Sequence, residues 1–167
     1  MKRSEQERER RLHRCCFTGH RPDKLTKSEG VLRTELEYSI SVAIGDGYTT
    51  FITGMACGVD IWAGEIILRR KQNDARLHLI AAIPFRGCER RWPSEWKQRY
   101  YQLLEGADLV HCACPQYEAW SYQQRNEWMV DRSSRVIAVY NYGVQSGTKN
   151  TVEYAWRNSV PVVVISG

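Results

Sequence analysis

Apolar residues in this chain occur in two kinds of stretch that alternate along its length. Short continuous runs, such as 136–139 and 162–165, alternate with longer segments whose apolar positions recur every three or four residues. In 28–44 those positions are Val31, Leu32, Leu36, Ile40, Ala43 and Ile44, which is helical spacing. Gly45 and Gly47 follow, as helix-ending glycines do. The pattern predicts strands at 15–17, 49–53, 77–83, 108–112, 135–140 and 161–165. It predicts helices at 28–44, 59–70, 94–105, 122–132 and 148–158. Pro84 closes the third strand, Ser94 is a helix cap, and the 59–70 helix opens after Gly58 with Asp60 in its first turn.

The order is βαβαβαβαβαβ, and its strands are nearly continuous hydrophobic runs. That is the pattern of parallel strands buried on both faces. The fold class expected is α/β, a single doubly wound, Rossmann-like, mostly parallel sheet with helices on both faces. A chain of 167 residues suits one such domain. The division expected is a charged N-terminal tail at 1–14 and a domain at 15–167.

Charge changes the picture once it is located. The formal net charge is +5, which invites a nucleic-acid partner. Residues 1–14 carry six basic and three acidic side chains, whereas the rest carries eighteen and sixteen. More than half of the excess therefore belongs to the tail, whose alternating charges suit a solvated helix or a disordered leader. No apolar run of about 18 residues exists, which argues against a membrane span. The tail has no apolar core of a secretory signal, so a cytoplasmic location is expected. The six cysteines, at 15, 16, 57, 88, 112 and 114, are then read as reduced thiols and small hydrophobes. Cys112 and Cys114 resemble half a metal site, but no second pair stands at zinc spacing, so no metal is expected. No resident cofactor is expected either.

Open parallel α/β sheets bind ligands outside the carboxyl ends of their strands. The unusual residues fall there. Thr18, Gly19, His20 and Arg21 follow the first strand, and Gly54, Met55, Gly58 and Asp60 the second. Ser146, Gly147 and Thr148 precede the last helix. Glycines permit tight turns, and helix starts offer free N–H groups to a phosphate or carboxylate. Arg21 is the candidate counter-charge, with an ion pair to Asp60 or Asp23 as the plainer alternative. Asp60 would repel a phosphate but can accept from ribose hydroxyls. His20 either donates to a ligand or caps locally. Arg125 and Asn126 near the 122–132 helix start reach the rim or hold the preceding loop, while Trp128 and Met129 are expected in the core. Arg86, Arg90, Arg91, Trp92 and Trp96 form a basic-aromatic cluster, for which packing is the simpler account. Tyr117, Trp120 and Tyr122 are candidates for a lid. Neither G-x-x-x-x-G-K-[ST] nor G-x-G-x-x-G nor G-x-S-x-G is present, which argues against a P-loop ATPase, a standard NAD oxidoreductase and a nucleophile-elbow hydrolase.

The motifs at 18–22, 53–60, 83–85, 125–131 and 146–148, with Tyr154 and Ala155, resemble the YpsA-like branch of the SLOG superfamily. That superfamily also includes the LOG nucleotide phosphoribohydrolases and the Rossmann-like core of the DNA-processing protein A family. The resemblance covers 15–167 and implies a Rossmann-like fold with a pocket for a nucleotide or nucleotide-derived ligand. It departs from the LOG hydrolases at Thr151, which stands where their catalytic Glu would fall, and Glu153 lies on a different helix face. The 54–60 turn is closer to that of DNA-processing protein A, which binds single-stranded DNA through a basic rim.

Three functions follow as expectations. The first is binding of a nucleotide-like small molecule as a sensor or carrier. The second is a nucleotide-processing hydrolase acting on an N-glycosidic bond, with Asp60, Asp131 or Glu153 as acid or base. The third is single-stranded nucleic-acid binding through Arg21, Arg86, Arg90, Arg91 and the tail, which the nearly balanced body disfavours. Whether any reaction is catalysed, the residues leave open. A second copy of the chain is a candidate partner, through Tyr154 and Trp156.

Overall fold

A computed structural model describes residues 2–167. Met1 of the charged tail lies outside the described residues. The remaining elements are α1 (Lys2–Leu12), β1 (Arg14–Gly19), α2 (Glu29–Gly45), β2 (Thr50–Thr53), α3 (Val59–Lys71), β3 (His78–Phe85), α4 (Ser94–Gly106), β4 (Leu109–Cys114), α5 (Ser121–Asp131), β5 (Arg135–Val139), α6 (Gly147–Arg157) and β6 (Val162–Ile165). A short 3-10 turn, Pro22–Lys24, follows β1.

The six strands form one sheet in the order β4-β3-β2-β1-β5-β6, and every neighbouring pair is parallel. Alternate side chains feed two cores, as strand geometry requires. Phe17, Phe51, Leu79, Ala81, Ile137 and Val139 face α2, α3 and α4, where Leu36, Ile40, Ile66 and Leu103 pack on them. Cys16, Ile52, Ile80, Ala82, Val136 and Ala138 face α5 and α6 and meet Met129, Val152 and Ala155. The chain runs outward from β1 to β4 with its helices on one face, then returns to β5 with its helices on the other. Right-handed crossovers impose that switch of face.

Four expectations are corrected. Ser94 does not cap α4 but is its first residue, and Pro93 stands at the cap with no side-chain hydrogen bond. The run 162–165 is not buried on both faces: β6 is an edge strand, and Val163 and Val164 are 39% and 36% exposed. Pro84 does not close β3, which continues to Phe85. The missing N–H costs no pairing towards β2, because β2 ends at Thr53 opposite Ala81. Thr18 and Gly19 do not follow β1 but end it, paired with Ala138 and Val139 of β5.

Tail residues Lys2–Leu12 form a helix beside the amino ends of the strands. Arg11 Nε donates to the Ser133 carbonyl at 3.0 Å, and Ser134 Oγ donates to the Leu12 carbonyl at 3.2 Å. Its charge therefore sits at the end of the sheet opposite the carboxyl rim. Cys15, Cys16 and Cys114 are buried, and burial pushes the Cys16 thiol up to about 12. No described helix is long and apolar enough to cross a membrane.

Candidate functional site

The reversal of strand order between β1 and β5 opens a crevice at their carboxyl ends. A cavity of about 320 Å3 occupies it, a size suited to a small ligand. Thr18, Gly19, His20 and Arg21 line it from β1, Asp60 from α3, Arg125 and Asn126 from α5, and Ser146, Gly147 and Thr148 from the start of α6. Lys24, Ala56 and Tyr122 complete the wall.

Gly54, Met55 and Gly58 stand behind that wall and shape it. Gly58 takes a φ of +93° that a side chain rarely adopts, and its Cα faces Pro22. Met55 is fully packed in the core. A Cβ on Gly54 would lie 2.7 Å from Asp60 Oδ2 and 3.1 Å from Arg125 Nη1. Glycine is thus the residue that lets both head groups close over this turn. Thr53 Oγ1 fixes the turn by donating to the Asp60 carbonyl at 2.7 Å and accepting from Met55 N.

Asp60 and Arg125 are both buried. Arg125 Nη1 donates to the Gly54 carbonyl, and its Nε donates to Asn126 Oδ1 at 2.8 Å. It does not hold the loop before α5, as one sequence reading had it. Asn126 Oδ1 is engaged, so its amide N–H groups are the part left for the cavity. Asp60 Oδ2 accepts from Ala56 N at 3.3 Å, but Oδ1 is buried with no hydrogen-bond partner. Burial raises the Asp60 carboxyl to about 6, while Arg125, the Ala56 N–H and Arg21 oppose the rise. Burial also draws the Arg125 guanidinium down from its ordinary range.

His20 joins the two halves of the crevice. Its Nε2 accepts from Asn141 N at 3.0 Å, so Nδ1 carries the ring proton towards Ser146 Oγ, 3.1 Å away. Burial holds the imidazole below its ordinary range, consistent with this neutral tautomer. Ser146 Oγ also caps α6 by accepting from Lys149 N at 3.2 Å. With its acceptor positions engaged, the Ser146 hydroxyl proton is free to donate. The Gly147 and Thr148 N–H groups have no carbonyl four residues back within the helix, which leaves a donor-rich floor.

Arg21 is exposed and lines this cavity together with a neighbouring one of about 540 Å3. Among the described residues, Arg21, Lys24, Arg90 and Arg91 form no ion pair. Arg33, Arg69, Arg70, Arg99 and Arg135 elsewhere each hold a carboxylate. Trp96 packs against Trp62 with ring centres 6.3 Å apart, whereas Arg90, Arg91 and Trp92 face the second cavity. Trp128 is half-buried rather than core, stacked on His111 at 3.8 Å.

The other candidate acids lie off the cavity. Asp131 accepts from Tyr154 Oη at 2.8 Å, and Glu153 faces Lys149 at 3.8 Å. Thr151 Oγ1 donates to the Gly147 carbonyl at 2.8 Å. Among the described residues no three His, Cys, Asp or Glu side chains are grouped to hold a metal ion. Lys24 was missed in the sequence, although its place two residues after Pro22 puts it on the same turn. Ala56 carries no side-chain signal at all.

This is a Rossmann-like α/β protein with a polar crevice at its strand-order reversal. The YspA SLOG family profile matches residues 15–165, and the chain belongs to that family. It is 27% identical over 112 residues to a UPF0398 protein of Halalkalibacterium halodurans, covering 66% of this chain and 59% of that one. It is 32% identical over 117 residues to the SPbeta prophage-derived protein YoqJ of Bacillus subtilis, covering 63% and 68%. Among solved structures it resembles DNA processing protein A of Streptococcus pneumoniae, with TM-score 0.67 and 20% identity over 93% of this chain and 51% of that one. It also resembles DNA processing protein A of Helicobacter pylori, with TM-score 0.64 and 18% identity over 97% and 68%. The matched region is thus little more than half the length of the halodurans and pneumococcal proteins. At these identities the two structures share the fold.

Proposed function

We propose that the crevice binds a nucleotide or nucleotide-derived ligand, as a sensor or carrier. The observation that carries this reading is the cavity at the strand-order reversal, whose wall sets Asp60, a buried carboxylate with one oxygen lacking a hydrogen-bond partner, among residues rich in donors. An under-satisfied buried carboxylate is costly, and a ligand hydroxyl or amine that donates to Asp60 offsets part of the cost. The same cavity offers the α6 start, Ser146 and Arg21 to an anion. A molecule with an anionic group and a hydrogen-donating sugar or base a few ångströms apart satisfies both, and a nucleoside phosphate is such a molecule.

The test is calorimetry and thermal shift with AMP, ADP-ribose, NAD and a short single-stranded oligonucleotide. AMP is expected to bind, about tenfold more weakly in Arg21→Ala, where a charge-assisted contact is lost. No response to any mononucleotide at millimolar concentration overturns the reading. Release of free base from AMP would instead favour the hydrolase, for which Asp60 is the carboxylate on the cavity wall.

Single-stranded nucleic acid is the second reading. The four cations without ion pairs along the rim favour it, since a local patch attracts phosphates whatever the total charge. The Helicobacter pylori relative in fold is described by its single-stranded DNA binding mode, which supports the same reading. Tight, salt-sensitive oligonucleotide binding with no mononucleotide effect would decide for it.

A further inference from the structure

The second cavity is larger than the first and differs in character. It is about 540 Å3, and its wall is mostly aromatic rings and arginines, with Gly87 and Cys88 between them and no acidic side chain among the lining residues. Phe85 is the central ring, with Tyr117 and Tyr122 meeting it edge-on at 5.3 and 5.8 Å. Trp92 closes another side and is held edge-on against Tyr100 at 5.4 Å. Arg90 and Arg91 supply positive charge, and neither has a carboxylate partner among the described residues. Arg21 and Tyr122 line both cavities, so the two spaces adjoin at one cation and one ring.

We propose that the second cavity is a subsite for a second nucleoside unit, so that the full ligand is two nucleosides joined through phosphate beside Arg21. This rests on the nucleotide reading of the first cavity. The division of labour is chemical. The first cavity supplies hydrogen-bond donors and one acceptor, which orient a sugar and its phosphate. The second supplies ring faces and edges with few fixed directions, which suit stacking of a planar base. Arginines beside those rings serve both the base plane and the linking phosphate. Nucleoside–phosphate–nucleoside chemistry occurs in pyrophosphate-linked dinucleotides and in a step of single-stranded nucleic acid, and the site as built accepts the unit they share.

The experiment is titration calorimetry on the full chain with three probes: AMP, diadenosine diphosphate and the 5′-phosphorylated dinucleotide pApA. Tyr117→Ala and Arg90→Ala are compared with the unaltered protein. Both residues are exposed, and unchanged melting temperatures confirm that the variants fold. At least one two-nucleoside probe is expected to bind about tenfold tighter than AMP, the size of one stacked base. Each variant is expected to lose most of that gain while keeping its AMP affinity. A gain for diadenosine diphosphate alone marks a small dinucleotide, and a gain for pApA alone marks a strand; either supports the subsite. If AMP binds but neither larger probe binds tighter, the subsite is refuted and the first cavity stands. Persistence of the gain in both variants refutes it equally. If AMP and both larger probes fail to bind, the nucleotide reading falls and the subsite with it.

Discussion

Asp60→Asn offers a test of the site that needs no ligand. Burial holds the Asp60 carboxyl at about 6 in the folded chain, against an ordinary value of 3.8. The folded state therefore binds this proton more tightly than the unfolded state does. Stability from this group is fully present below about pH 4 and is lost as pH rises through about 6. A gap of about two pKa units corresponds to about 3 kcal/mol once the group is ionised in both states. Near pH 4.5 about a third of that loss has already occurred, because the unfolded carboxyl is mostly ionised there. Asn copies the protonated form and does not titrate. The stability of Asp60→Asn relative to the unaltered protein should thus rise by about 2 kcal/mol between pH 4.5 and pH 7.5. Loss of the attraction to Arg125 moves the whole curve but does not cancel its slope. Urea unfolding at four pH values across that range, with m held common, measures it. A difference that stays flat, or falls with pH, would refute the claim that Asp60 carries an uncompensated charge.

Three further outcomes follow. Gly54→Ala forces a methyl against Asp60 and Arg125 and should cost about 1–3 kcal/mol in urea unfolding, with loss of AMP binding. Ser146→Ala removes the α6 cap and the partner of His20, so a loss of about 1 kcal/mol in stability is expected together with weaker AMP binding by calorimetry. Deletion of residues 2–12 removes a helix at the far end of the sheet and should lower the melting temperature while leaving AMP affinity within about twofold.

Much of the architecture was legible in the apolar pattern. The 28–44 segment shows helical spacing, and runs such as 136–139 read as strands by their shortness and β-branched content rather than by period. The edge position of β6 was not legible. A valine run has the same letters at the centre of a sheet and at its margin, and pairing with β5 alone is a tertiary fact. Pro84 misled because strand propensity carries no information about where the neighbouring strand stops. At the rim, strand-end glycines and hydroxyls pointed to the crevice residues that the fold brings together from β1, α3, α5 and α6. The lone Asp60 oxygen was hidden, since it depends on Arg125, which lies far along the chain and is committed to Gly54 and Asn126. Charge was hidden in the same way. A net count treats every arginine alike, whereas Glu37, Glu65 and Asp46 occupy several of them and leave those on the rim uncovered.

The crevice is closed by segments that the ribosome makes far apart in time. β1 pairs on one side with β2, soon after it in sequence, and on the other with β5, and His20 meets Asn141 across a separation of 121 residues. A nascent chain can assemble β1 to β4 with α2, α3 and α4 before β5 exists, and such distant pairings are the slow ones. During that interval the flank of β1 that will receive β5 is an open strand edge. Completion of the cavity and protection of that edge are one event, and it comes late in synthesis.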